Sequence, residues 1–172
     1  RADAIAAGLI ALGVEPEQRV AIASATRIEW VLADLAIMCA GAATTTIYPS
    51  TLEDDVHFIL SDSESRVVFA ENEAQLAKIA VARDRLPDVQ KVVLLDGDGD
   101  GDWVITLADL ERLGAEHLER NPDAITQVID KVTHDHLATL MYTSGTTGRP
   151  KGVRLTHGNW TYEAVAIDIL KI

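Results

Sequence analysis

Apolar and polar positions along this chain follow two periods, and the periods take turns. Ile5, Leu9 and Leu12 recur at helical spacing within Ala2–Leu12, and Gly13 follows as a helix stop. Arg19–Ser24 reads as a strand. Arg27–Ala40 predicts a helix that is apolar on most sides, through Ile28, Trp30, Val31, Leu32, Leu35, Met38 and Cys39. Such a helix is expected to lie between packed layers. Gly41 ends it, Ala43–Tyr48 predicts a second strand, and Pro49 stops that strand. Leu52–Leu60 reads as a short helix whose first turn carries Glu53, Asp54 and Asp55, where negative charge suits the helix dipole. Arg66–Ala70 is a strand, Glu73–Leu86 an amphipathic helix closed by Pro87, and Lys91–Leu95 another strand. Helix and strand alternate with short connections, which predicts an α/β fold around a mostly parallel sheet.

Asp96–Asp102, an Asp-Gly alternation, breaks this rhythm. Asp96, Asp98 and Asp100 take positions one, three and five of a calcium loop, with Gly101 at six. Position twelve is Leu107, where such a loop needs a bidentate Glu, so a solvated, mobile acidic turn at 96–102 is the expectation. Thr106 is placed to cap a helix carrying Leu107, Leu110 and Leu113 on one face, and Pro122 opens a further short helix. His134, Asp135 and His136 form a polar turn before the next strand, since no further metal ligands cluster there in sequence. His57 and His117 are expected at the surface. Asn159–Ile172 reads as a helix with Trp160, Val165, Ile169 and Ile172 as core positions.

The densest chemistry lies between an apolar strand, Leu137–Met141, and the alternating Val153-Arg154-Leu155. The intervening stretch is Tyr142-Thr143-Ser144-Gly145-Thr146-Thr147-Gly148-Arg149-Pro150-Lys151-Gly152-Val153. Gly145, Gly148 and Gly152 allow backbone N–H groups to turn toward an anion without a Cβ in the way. Thr143, Ser144, Thr146 and Thr147 add hydroxyl donors, and Lys151 a compact positive charge beside Arg149. The expected ligand is phosphate. The Walker spacing fails, because Pro150 stands five residues after Gly145 and Gly152 follows Lys151 where Ser or Thr is required. That counts against a P-loop phosphotransferase. The dinucleotide fingerprint fails as well, for want of a G-x-G-x-x-G opening a helix.

Tyr142–Val153 resembles the phosphate loop of the adenylate-forming superfamily, which includes acyl-CoA synthetases, luciferases and peptide-synthetase adenylation domains. Upstream, Leu9…Gly13-Val14…Arg19-Val20-Ala21-Ile22, Glu29-Trp30…Ala36…Gly41-Ala42, Ile47-Tyr48-Pro49-Ser50 and Phe58-Ile59-Leu60-Ser61-Asp62-Ser63 are similar to bacterial long-chain fatty-acid–CoA ligases. The resemblance implies that residues 1–172 are a partial N-terminal AMP-binding domain ending shortly after the phosphate loop. It implies a two-step reaction, in which a fatty acid is activated by ATP as an acyl-adenylate and then transferred to coenzyme A. By the same resemblance Thr143, Ser144, Gly145, Thr146, Thr147, Gly148 and Lys151 cradle the ATP phosphates, and Thr143 sits near the Mg²⁺. The adenine, ribose and catalytic-lysine segments of the family come later, so no catalytic residue is assigned within this chain. The chain alone is then expected to be inactive, and the partners are ATP, a fatty acid, coenzyme A and the missing remainder. A non-catalytic phosphate-binding or interaction module is the alternative.

Composition narrows the setting. Net charge is −12, which disfavours nucleic acid and anionic membrane surfaces as partners. The 172 residues suffice for one domain with a core. A single cysteine, Cys39, allows no internal disulfide, fits a cytoplasmic setting and reads as a core residue. No apolar run is long enough to span a bilayer, though a fatty-acid substrate would allow peripheral contact with one. Arg1 opens the chain inside a helical pattern, as expected of a piece of a longer polypeptide.

Overall fold

Seven strands form one sheet in the order β5-β4-β3-β1-β2-β6-β7 in a computed structural model of the chain, in which residues 1–143 and 148–170 are described. The elements run α1 (Ala2–Ala11), β1 (Arg19–Ala23), α2 (Ile28–Cys39), β2 (Ala43–Ile47), α3 (Glu53–Asp62), β3 (Val67–Ala70), α4 (Glu73–Ala80) and β4 (Lys91–Leu94). They continue with β5 (Val104–Thr106), α5 (Leu107–Arg120), α6 (Ala124–Ile129), β6 (Leu137–Thr143), β7 (Lys151–Thr156) and α7 (His157–Leu170). All neighbouring strands pair in parallel except β6 and β7, an antiparallel hairpin at the sheet edge. The α/β alternation and the mostly parallel sheet read from the sequence are both present.

β1, β3 and β4 are apolar at nearly every position because both sheet faces are covered there. Val20, Ile22, Val67, Phe69 and Val93 point to one face, where α1, α2 and α5 supply Ile5, Leu9, Ala33, Ile37 and Leu110. Ala21, Ala23, Val68, Ala70, Val92 and Leu94 point to the other, against Val56, Ile59 and Leu60 of α3 and Ile79 of α4. α1 and α5 cross at two glycines. A Cβ at Gly114 would lie 1.8 Å from the Ala4 carbonyl oxygen, and one at Gly8 would lie 2.5 Å from that of Leu110. Only glycine permits that approach.

Local capping chemistry explains several helix starts. Asn72 opens α4 by accepting the N–H groups of Ala74 and Gln75 at 3.0 and 3.2 Å. Thr106 opens α5 in a reciprocal box: its hydroxyl accepts the Asp109 N–H at 3.1 Å, while the Asp109 carboxylate accepts the Thr106 N–H at 3.2 Å. The hydrogen bonds from Thr106 hold Asp109 below the usual carboxylate range. Thr156 and Asn159 exchange the same pair of bonds at the start of α7.

Several expectations change. The acidic stretch after β4 is a built turn. Asp100 accepts the N–H groups of Asp102 and Val104 at 2.8 and 2.9 Å, and those bonds hold its carboxyl below its ordinary value. The turn returns the chain to pair β5 with β4, a strand too short to stand out in sequence. Asp96 is ion-paired with Arg27. α4 ends at Ala80, and a 3-10 turn at Arg83–Arg85 places the Arg83 guanidinium 4.6 Å above the Trp103 ring. His57 is buried, contrary to its expected place at the surface. Its Nδ1 faces the donor-only guanidinium of Arg85 at 3.2 Å, so Nε2 carries the proton and donates to the Lys78 carbonyl at 2.6 Å. Cys39 is half-buried against the core, and burial pushes its thiol pKa up. Ile28, Val31 and Leu35 leave one face of α2 exposed, so that helix is covered on fewer sides than its composition suggests. Trp160, Val165 and Ile169 of α7 are exposed rather than in the core, and Ile172 lies outside the described residues.

Asp34 on α2 is half-buried and accepts the Thr44 hydroxyl at 2.6 Å. Burial pushes its pKa up, against the opposing effect of that bond. A raised folded pKa means the ionised carboxyl costs stability above the unfolded value of about 3.9. The cost grows as pH rises and is complete above the folded pKa. Asp34→Asn keeps an acceptor for Thr44 and removes the charge. It is expected to raise the thermal midpoint at pH 7 and leave it unchanged at pH 3, as thermal unfolding at both pH values will show.

Candidate functional site

The β6–β7 hairpin presents the candidate loop. Its last described pairs are Met141 with Val153, Tyr142 with Gly152, and Thr143 with Lys151. Thr143 and Lys151 therefore stand opposite each other at the mouth, both exposed, at the two ends of residues 144–150. Ser144, Gly145, Thr146 and Thr147 lie outside the described residues. Gly148 has φ of +105°, in the region that favours glycine. Gly152 has a different reason for being glycine. It is a strand residue, and a Cβ there would come within 3.1 Å of Leu140 and 3.4 Å of the Tyr142 ring.

Two groups fasten the loop to the body of the domain, and neither stands out as a site residue in the sequence. Tyr142 donates its hydroxyl proton to Asp62 at 2.6 Å. Burial, then the bond to Asp62 and its negative charge, push the Tyr142 pKa well up, so the phenol stays protonated. Phe58 meets the Tyr142 ring edge-to-face, with centroids 6.3 Å apart and planes at 87°. Arg149, on the far side of the loop, places its guanidinium 5.4 Å from the same Phe58 ring. The signal in sequence is slight: an aromatic and an acid four residues apart, on a helix whose neighbours only the fold reveals.

Beside the loop lies a groove of about 230 Å³, bordered by Ser50, Thr51, Asp55, Tyr142, Thr143 and Pro150. A second, mostly apolar cavity of about 310 Å³ lies beyond the carboxyl ends of β1, β2 and β6. Trp30, Tyr48, Pro49, Met141 and Trp160 line it, with Asp34 and Thr139 as polar groups. Trp160 donates its indole N–H to the Thr139 hydroxyl at 3.1 Å. In doubly wound sheets ligands bind where consecutive connections leave in opposite directions, here between β1 and β3. That crevice is closed by the chain itself: Glu71 accepts the Ala25 N–H at 2.9 Å, and Arg27 bridges Glu29 and Asp96. The open space is displaced toward β2 and β6, on the side of the loop.

The polar turn before β6 uses His136 internally. Its Nδ1 accepts the Thr133 N–H at 2.8 Å. His157, at the start of α7, is held below its ordinary pKa by burial and by the nearby His136 and His134. Among the described residues no helix is long and apolar enough to cross a membrane.

A family model described as AMP-binding enzyme matches residues 1–171. The chain belongs to that family. Among curated members it is 39% identical over 160 residues to the long-chain-fatty-acid–CoA ligase FadD15 of Mycobacterium bovis, covering 93% of this chain and 26% of the relative. It is 32% identical to the long-chain-fatty-acid–CoA ligase ACSBG2 of Xenopus laevis, covering 94% of this chain and 22% of the relative. The crystal structure of the anthranilate CoA ligase AuaEII in complex with anthranoyl-AMP superimposes with a TM-score of 0.81 at 25% identity, over 95% of this chain and 30% of that one. The chain thus spans about a quarter of the length of the family members it matches.

Proposed function

We propose that this chain is the amino-terminal part of an ATP-dependent fatty-acid–CoA ligase, and that the β6–β7 loop holds the phosphates of ATP. The observation that carries the reading is the meeting of Thr143 and Lys151 across the mouth of a hydroxyl- and glycine-rich loop, in a chain of the AMP-binding enzyme family. The exposed apolar side chains of α2 and α7 also support it, because further parts of a longer protein would cover them.

In the proposed reaction a carboxylate oxygen bonds to the α-phosphorus of ATP. The bond from that phosphorus to the bridging oxygen breaks, and its electron pair leaves on pyrophosphate. The thiolate of coenzyme A then bonds to the acyl carbon and AMP departs. The chain's task is to hold the β- and γ-phosphates in line and to balance charge as pyrophosphate separates. Lys151 supplies positive charge, and the hydroxyls of Thr143, Ser144, Thr146 and Thr147 supply donors. Gly145 and Gly148 bring the backbone close. The Thr143 hydroxyl and the Asp55 carboxylate border the groove beside the loop, and Mg²⁺, which favours oxygen ligands, would neutralise phosphate charge when bound. Thr143 is the residue of this chain that would face it.

The full-length ligase is expected to exchange labelled pyrophosphate into ATP in the presence of a long-chain fatty acid, and residues 1–172 alone are not. Exchange by the isolated chain would mean that the loop and its immediate support suffice. No exchange by the full-length protein with any fatty acid would defeat the reading.

A further inference from the structure

We propose that Asp62 and Phe58 of α3 are positioning residues that set the placement of the phosphate loop, through Tyr142 and Arg149. The proposal rests on the reading of that loop given above. Phe58 and Asp62 are four residues apart, so they share one face of α3. That face meets both flanks of the loop. Asp62 holds the Tyr142 hydroxyl at 2.6 Å, one residue before Thr143. Phe58 touches the Tyr142 ring on its edge and lies 5.4 Å beneath the Arg149 guanidinium, two residues before Lys151.

The hairpin needs such a support. Among the described residues β7 is an edge strand with β6 as its only strand neighbour. Pairing with β6 sets the register of Lys151 against Thr143. Tyr142 ties this end of the hairpin to the body of the domain. Its ring lies against Gly152, where the missing Cβ leaves room, and its hydroxyl is tied to α3 eighty residues earlier. A shift of the tip would carry Lys151 away from the phosphates, and displacements of about 1 Å at a reacting centre can cost about a hundredfold.

Asp62 is exposed at the carboxyl end of α3, so Asp62→Ala leaves the core untouched. In the full-length ligase, Asp62→Ala and Tyr142→Phe are each expected to lower ATP–pyrophosphate exchange about tenfold and raise KM for MgATP. The double variant is expected to be no worse than either single one, since both remove the same bond. Thioester formation from pre-formed acyl-adenylate should change by less than about twofold, because pyrophosphate has already left. Phe58→Leu, which keeps an apolar side chain but loses the ring, should show the same split between half-reactions. Exchange at the wild-type rate in Asp62→Ala and Tyr142→Phe would overturn the proposal. So would equal losses in both half-reactions, which would mark a general structural role. A wild-type ligase without exchange would instead defeat the functional reading, and this proposal with it.

Discussion

Replacing Lys151 by Ala in the proposed full-length ligase is expected to lower the adenylation rate by about a hundredfold, the usual cost of removing one aimed charge or donor from a site of developing negative charge. Lys151 opens β7, is exposed, and faces Thr143 across the mouth of the loop. It contributes nothing to either core cluster, so the unfolding midpoint should stay within the small range typical of surface substitutions. The loss should fall on pyrophosphate exchange and spare thioester formation from pre-formed acyl-adenylate. Lys151→Arg should recover only part of the rate, since a planar guanidinium cannot occupy the place of a compact ammonium. Stopped-flow or isotope-exchange measurement of the first half-reaction is the test. An unchanged exchange rate would remove Lys151 from the role.

The second large effect concerns the fold. Gly114→Ala is expected to destabilise the chain by about 3 kcal/mol or more, at the upper end of overpacking costs. The new methyl would sit 1.8 Å from the Ala4 carbonyl oxygen, a backbone atom that cannot rotate aside. α1 and α5 would have to part, opening the core around Ile5, Leu9 and Leu110. Gly8→Ala meets the Leu110 carbonyl at 2.5 Å and should act in the same direction. Gly13 is the control. It has φ of +83°, and among the described residues nothing lies within 4 Å of the place a methyl would take. Gly13→Ala should therefore cost only the backbone strain of about 1 kcal/mol. Urea unfolding of the three variants separates steric from conformational cost. Similar midpoints for Gly13→Ala and Gly114→Ala would show that the helix crossing gives way easily.

The residues that make the site readable are those whose chemistry is local. Glycine, hydroxyl and lysine side chains crowd into Thr143–Lys151, and the strands on either side are marked by their own apolar runs. Phe58 and Asp62 are not readable as site residues, because their partners Tyr142 and Arg149 lie eighty or more residues away. In sequence both belong only to a run similar to the fatty-acid–CoA ligases. His57 is misread as a surface residue for the same reason: its two partners, the Lys78 carbonyl and Arg85, belong to elements packed on α3 from later in the chain. The exposed apolar residues of α7 show the converse error. An apolar pattern identifies the side chains that favour burial, and Trp160, Val165 and Ile169 have it without being covered here.

What the sequence by itself determined about this protein is the order of most elements and the composition of one loop rich in glycine, hydroxyls and lysine. Periods of two and of 3.6, a capping residue such as Thr106, and the glycines of the loop act over a few residues, so they are present in any short window. Only the tertiary structure decided the strand order and the added antiparallel hairpin. It alone also showed the glycine-to-glycine contact of α1 with α5, the closing of the β1–β3 crevice, and the seating of the loop on α3. Each of these depends on which surfaces meet across long stretches of chain. That is settled by the joint burial of apolar faces and the pairing of their polar groups, which no local window contains.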